Sequence, residues 1–219
     1  MGYTLNFDVV WASFDRLLWG LALGLQLALA AIAIGAAIGL VAGFASVSPS
    51  PFWRGLAGLY VTIFRNLPIL VIVLVVYFAL PQYGVRLDKQ QSFIASLSVY
   101  AGAYLSEVFR AGLLAVPKGV IEAGRAIGLT RLQTNIHVVA PIMFRNALPA
   151  FGTTFISLFK DSSIAAAIAI PELTFQARKI NVESFRVVET WMIASLLYIA
   201  TCLIIAALLR ALERRFPKF

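Results

Sequence analysis

The sequence predicts an all-α membrane protein of five transmembrane helices, with one short extra helix on the cytoplasmic side. Three observations carry that expectation. Of the 219 residues, 61% are hydrophobic and 13% charged, about half the charged share of a soluble domain. Mean hydropathy is +0.88. The apolar residues also gather into runs that approach or exceed the roughly 20 residues a spanning helix needs. So thin a polar coat does not suit a surface in water, whereas in lipid a helix satisfies its own backbone and needs no such coat.

The spans follow in order. No charge falls between Arg16 and Arg54, and Leu17 to about Ala45 forms the first span. It closes in Ser46-Val47-Ser48-Pro49-Ser50-Pro51, a run of turn formers. The second covers about 55–80, interrupted by Arg65-Asn66-Leu67-Pro68 and stopped by Pro81-Gln82-Tyr83-Gly84. The third covers about 92–116 and carries Glu107 and Arg110 near its end. The fourth covers about 136–159 and contains Pro141, Arg145 and Pro149. The fifth, about 187–209, is uncharged from Trp191 to Leu209. Together they make one transmembrane unit over residues 1–219. Ile164 to Pro171 is too short to cross, and is expected as a re-entrant or surface helix packed on the others.

Five spans put the termini on opposite sides. With the carboxyl tail inside, inner segments hold Arg54, Arg110, Lys118, Arg125, Arg131, Arg145, Arg210, Arg214, Arg215 and Lys218. Outer segments hold Arg16, Arg86, Lys89, Lys160, Arg178, Lys179 and Arg186, with Arg65 left in the membrane. Ten against seven has the sign of the positive-inside rule. The amino terminus is therefore expected outside and the carboxyl terminus in the cytoplasm. No cleavable leader is apparent, because Asp8 and Asp15 sit where a basic flank belongs.

Several function classes lack their residues. A net charge of +8 alone suggests nucleic acid, but the cations lie between apolar runs rather than in one stripe. Cys202 is the sole cysteine and His137 the sole histidine, so no disulfide, metal cluster or nucleophile–base pair is expected. His137 fits a structural or interfacial role. The apolar runs hold no paired carboxylates for an intramembrane enzyme. A secondary carrier built from two inverted halves does not divide into five spans. There is no phosphate-binding G-x-x-x-x-G-K-[ST] loop, so the chain itself is not expected to hydrolyse ATP.

Between the third and fourth spans Pro117 stops one helix, and Gly128 is placed to close the next in a left-handed cap. About 118–129 is too short and polar to span. Val120, Gly124 and Ile127 fall on one helical face, and Ala123, Gly124, Ala126 and Gly128 are small enough to let another surface approach. Either a docking knob or an ordinary connecting helix fits that spacing.

Glu122-Ala123-Gly124, then Gly128, then Val138-Val139-Ala140-Pro141 resembles the EAA loop of bacterial ABC importer permeases. Gly124 stands for the second Ala of that pattern, Val138 for Ile and Ala140 for Leu. Phe64-Arg65-Asn66-Leu67-Pro68-Ile69-Leu70-Val71 is similar to a stretch of the polar amino acid permease subfamily, with Asn66-Leu67 where Gly-Thr is usual. Ala103 to Gly112, Arg145 to Ala150, Leu158 to Ser163 and Pro171-Glu172-Leu173 are similar to further motifs of that subfamily, in its order. The resemblance implies a type I ABC importer permease fold in the bacterial inner membrane. It implies a second permease, identical or homologous, two ATP-binding cassette subunits and an extracytoplasmic amino-acid-binding protein. ATP and Mg would sit on the ATPase, with no cofactor on this chain. Glu122, Ala123, Gly124, Arg125 and Gly128 would then form the coupling helix.

Charges inside a membrane need partners or water. Glu107 and Arg110, three apart on a helix, are neighbours placed to pair. Arg65 has no local acid and is expected to face a wet cavity or another span. Lys160-Asp161-Ser162-Ser163 supplies both signs and two hydroxyls, suiting an amino acid zwitterion or a mutually neutralised turn. The candidate substrate pathway is therefore Arg65, Asn66, Lys160, Asp161, Ser162 and Ser163. Two cations against one free anion lean towards an acidic or amide substrate.

Overall fold

The computed structural model describes residues 3–215; Lys218, counted with the basic tail, lies outside the described residues. Among them every regular element is helical. A short α1 (Asp8–Ala12) leads into α2 (Phe14–Ser46), whose 33 residues reach about 50 Å at 1.5 Å per residue. Pro51 then opens α3 (Pro51–Asn66), a position where its missing N–H costs nothing.

The predicted second span, about 55–80, is not one rod. Leu67, held extended by the proline after it (φ −95°, ψ 134°), stops α3. The chain restarts as α4 (Ile69–Leu74) and continues through a π turn, Val75–Ala79, and a 3-10 turn, Leu80–Tyr83. The two arms meet at 99°.

The third apolar run is one unbroken helix. α5 (Lys89–Leu114) starts at a capping box: the Asp88 carboxylate accepts from the Gln91 N–H at 2.8 Å, and the Gln91 amide oxygen accepts from the Asp88 N–H at 3.1 Å. The short α6 (Lys118–Ala126) and α7 (Arg131–Thr134) follow. A π turn, Asn135–Val139, feeds α8 (Ala140–Asp161), which tightens into a 3-10 turn, Ser162–Ile168. The fourth helical run thus extends past the predicted 136–159 at both ends, and Ala165, Ala166, Ile168 and Ile170 are buried against the bundle. Sequence reasoning did not find α9 (Leu173–Ser184), bent 50° from the preceding run. Arg178, Lys179 and Glu183 on its exposed face hide its apolar side, Leu173, Ala177 and Ile180. α10 (Val187–Arg215) closes the described chain. Three helices, α2, α5 and α10, are long and apolar enough to cross a membrane singly, and the count reaches five if each bent pair is one span.

The core lies where α2 meets α5, the most extensive helix contact. A Cβ on Gly35 would stand 2.7 Å from the Ala101 Cβ, and one on Gly39 would stand 2.9 Å from the Gly102 carbonyl oxygen. Backbone therefore touches backbone, the packing that small residues permit in lipid. In the apolar window of α5, 61% is buried against 17% in α10. α5 is the central strut and α10 the outer one.

Candidate functional site

The α3 break delivers Arg65 and Asn66 to an exposed corner beside α5. The Arg65 guanidinium carbon lies 5.2 Å from the Tyr104 ring centroid, within cation–π range. Tyr104 and Tyr100, one turn apart on α5, have ring centroids 4.8 Å apart and hydroxyls 3.2 Å apart. The Tyr100 hydroxyl is within electrostatic reach of both Arg65 and Asp161. Arg65 thus stacks on Tyr104, and Asp161, ninety-six positions further along the chain (161 − 65), lies within electrostatic reach of Tyr100.

The other predicted pathway residues do not join that cluster by any direct bond. The Asn66 amide donates to the Thr62 carbonyl of its own helix at 2.7 Å. Lys160 is exposed and within electrostatic range of both Asp161 and Cys202 of α10. Ser162 is buried on the Gly24 side of α2, its Oγ 3.4 Å from where a Cβ on that glycine would sit. Ser163 is half-buried. Glu107 accepts two bonds from the Arg110 Nε at 3.1 Å and one from Nη2 at 2.7 Å. The expected pair is present, and it occupies the second carboxylate near the cluster.

Sequence reasoning missed two features. The tyrosine pair shows in the sequence only as two aromatic hydroxyls four apart in a span otherwise rich in small residues. The second is Glu172, quoted for its motif and not for a role. Its carboxylate is 0% exposed and accepts from the N–H groups of Thr174 at 2.9 Å and Phe175 at 2.8 Å, capping α9. The Tyr198 hydroxyl of α10 donates to it at 3.1 Å. One buried side chain thereby joins the turn after Ile168 to α9 and α10.

At the opposite end, α6 finishes as the glycine pattern predicts. Gly128 takes φ +90°, which costs a glycine little, and its N–H donates to the Arg125 carbonyl at 3.0 Å. Glu122, Ala123 and Arg125 are exposed. Gly124 is not: it is buried, and a Cβ there would meet Val138, Leu129 and Thr134 of the same chain at 3.5–3.6 Å. The face expected from Val120, Gly124 and Ile127 is therefore corrected. Ile127 falls beyond the last helical residue, at the C-cap (φ −83°, ψ 9°), and swings out to 80% exposure. The outward surface is Glu122, Ala123, Ala126, Ile127 and Gly128. His137 is exposed, its Nδ1 3.0 Å from the Gln133 carbonyl oxygen. Among the described residues no three His, Cys, Asp or Glu side chains gather to hold a metal.

Residues 19–218 match the family of the "binding-protein-dependent transport system inner membrane component". The glutamine transport system permease protein GlnP of Escherichia coli K12 is 33% identical over 212 residues, covering 96% of this chain and 97% of its own. The L-cystine transport system permease protein TcyB of Bacillus subtilis 168 is 31% identical over 221 residues, covering 100% and 94%. The crystal structure of an amino acid ABC transporter with histidines superposes with a TM-score of 0.88 at 31% identity, over 97% of this chain and 100% of the other. The inward-facing MetNI methionine ABC transporter shares the fold, with a TM-score of 0.81 at 22% identity over 94% and 99%. The chain therefore belongs to the binding-protein-dependent transport system inner-membrane component family and is a permease subunit of an ABC importer.

Proposed function

We propose that this permease carries a polar amino acid, recognised as a zwitterion between Arg65 and Asp161 on the Tyr100–Tyr104 platform. The observation that carries the proposal is one cation stacked on Tyr104 and one anion within electrostatic reach of its neighbour Tyr100. A zwitterion leaving water needs one partner of each sign, and either charge left unpaired costs several kcal/mol, on the order of a buried ion's penalty. With Glu107 held by Arg110, Arg65 and Lys160 stand against Asp161, a balance that suits an acidic or amide side chain over a basic one. Of the relatives, GlnP is named for glutamine, which is an amide, and TcyB for L-cystine, which is not. Arg65 and Asn66 are exposed in the lone chain, and a second permease, identical or homologous, would complete the pathway over them.

The outward face of α6 would seat in an ATP-binding cassette subunit, one under each permease. Closure of those subunits on ATP and Mg would move each coupling helix as a lever. An extracytoplasmic amino-acid-binding protein would deliver substrate from the side holding α9, and this chain would bind no cofactor.

Uptake by the complete importer in proteoliposomes tests the site. Arg65→Ala and Asp161→Asn should each lower uptake about tenfold or more, the loss of one charge-assisted hydrogen bond, while ATP hydrolysis persists. Full uptake of glutamine by both variants would move the site elsewhere.

A further inference from the structure

A concavity of about 490 Å³ lies beside the coupling helix, and none of the tyrosine-cluster residues lines it. Its size falls in the range of about 300–1,000 Å³ typical of small-molecule sites. Phe44 at the end of α2, Leu113 at the end of α5 and Val139 ahead of α8 supply an apolar wall. Arg125, Arg131 and Asn135 supply the polar one, and no carboxylate lines the cavity. Both arginines are exposed, and neither has an ion-pair partner among the described residues.

We infer that this cavity binds an anionic phospholipid, its phosphate between Arg125 and Arg131 and its acyl region against Phe44, Leu113 and Val139. Two guanidiniums without a counter-charge call for an anion, and a planar guanidinium suits phosphate oxygens in paired bonds. The apolar wall decides what kind of anion. It continues the ends of two bilayer-crossing helices, so it suits an occupant with hydrocarbon attached more than a bare carboxylate. Basic pockets between helix ends at the cytoplasmic leaflet are where such headgroups gather. An occupant there touches α2, α5, α6 and the start of the fourth helical run together, bracing the coupling helix against the spans it would move.

The complete importer, purified and exchanged into bilayers of equal phosphatidylglycerol and phosphatidylcholine, is the material for the test. Native mass spectrometry should find phosphatidylglycerol retained in preference. Arg131→Gln should lower that retention about tenfold, equivalent to about 1.4 kcal/mol, with the melting temperature unchanged. Arg54→Gln, an exposed arginine off the cavity, should leave retention intact. Equal retention of the two lipids, or no change in Arg131→Gln, overturns the inference. Loss of ATPase subunits from Arg131→Gln at full lipid retention assigns the pocket to an acidic protein side chain and overturns it equally. Displacement of the lipid by millimolar inorganic phosphate would leave the apolar wall without a role, and that too overturns it. Retention is read without transport, so failure here is separable from failure of the amino acid site.

Discussion

Single residues divide into those whose partner lies within one helical turn and those whose partner is distant in the chain. Glu107 and Arg110 were legible because three residues on a helix fix their proximity before any tertiary contact forms. Gly128 was legible because only glycine enters its conformation cheaply. Tyr100, Tyr104 and Glu172 were not, since each takes meaning from another element: Arg65, Asp161 and Tyr198. Gly124 marks the boundary. Its small size was visible, but whether that size admits a partner or its own chain depends on where the loop after α6 folds. The buried glycine meets Val138, Leu129 and Thr134 at no less than 3.5 Å from an added Cβ, an ordinary contact distance. Gly124→Ala should therefore stabilise the chain, by about 1 kcal/mol from helix propensity, and leave capture of the ATPase unchanged. A thermal melt in detergent and a copurification assay read the two effects. An alanine variant that keeps its fold but releases the ATPase would put Gly124 back on the docking face.

At the scale of elements, hydropathy located the spans because length and apolarity alone decide what crosses lipid. It failed at Pro68, where one run became two arms at 99°, and at α9, whose polar face broke the pattern. Gly20-Gly24 and Gly35-Gly39 of α2 are two pairs spaced four apart, and such a small-xxx-small pair packs equally well within a subunit or between two, so spacing alone does not give its use. The structure uses both pairs internally. Gly35 and Gly39 meet α5, while a Cβ on Gly20 would come within 2.9 Å of the Glu172 carbonyl carbon and the Leu173 nitrogen. Gly39→Val is the sharper test of this packing. Its Cβ would stand 2.9 Å from the Gly102 carbonyl oxygen and 3.0 Å from the Ser106 nitrogen, and backbone cannot rotate aside as a side chain can. Overpacking of that kind costs about 1–3 kcal/mol, so a clearly lowered melting temperature is expected. Gly58→Ala is the control, because an added Cβ there meets nothing within 4 Å. Equal melting of wild type and Gly39→Val would mean that α2 and α5 do not approach this closely.

The whole molecule has two unlike ends. One end gathers α1, the start of α2, α9 and the start of α10, tied by Arg16–Glu183 at 2.9 Å and Arg186–Glu189 at 3.5 Å. The Arg16 guanidinium beside Glu183 holds that carboxyl below its usual range. The other end gathers the close of α2 and α5, α6, and the arginine-lined cavity, which no carboxylate lines. Exposed tryptophans stand near both ends, Trp11 and Trp19 at the first and Trp53 at the second, as at the two interfaces of a bilayer. The positive-inside rule counts Lys and Arg whatever their acidic neighbours, so the expected direction still rests on the count of ten against seven. Cysteine labelling in intact cells tests it, after Cys202→Ala removes the native thiol. Arg86→Cys serves better than a change at Asp88, which caps α5, and Arg178→Cys probes α9. Both should react with a membrane-impermeant maleimide from outside. Arg54→Cys and Ile127→Cys should react only after permeabilisation. Reaction of the Ile127 variant in sealed cells would invert the topology and, with it, the side on which an ATPase could dock.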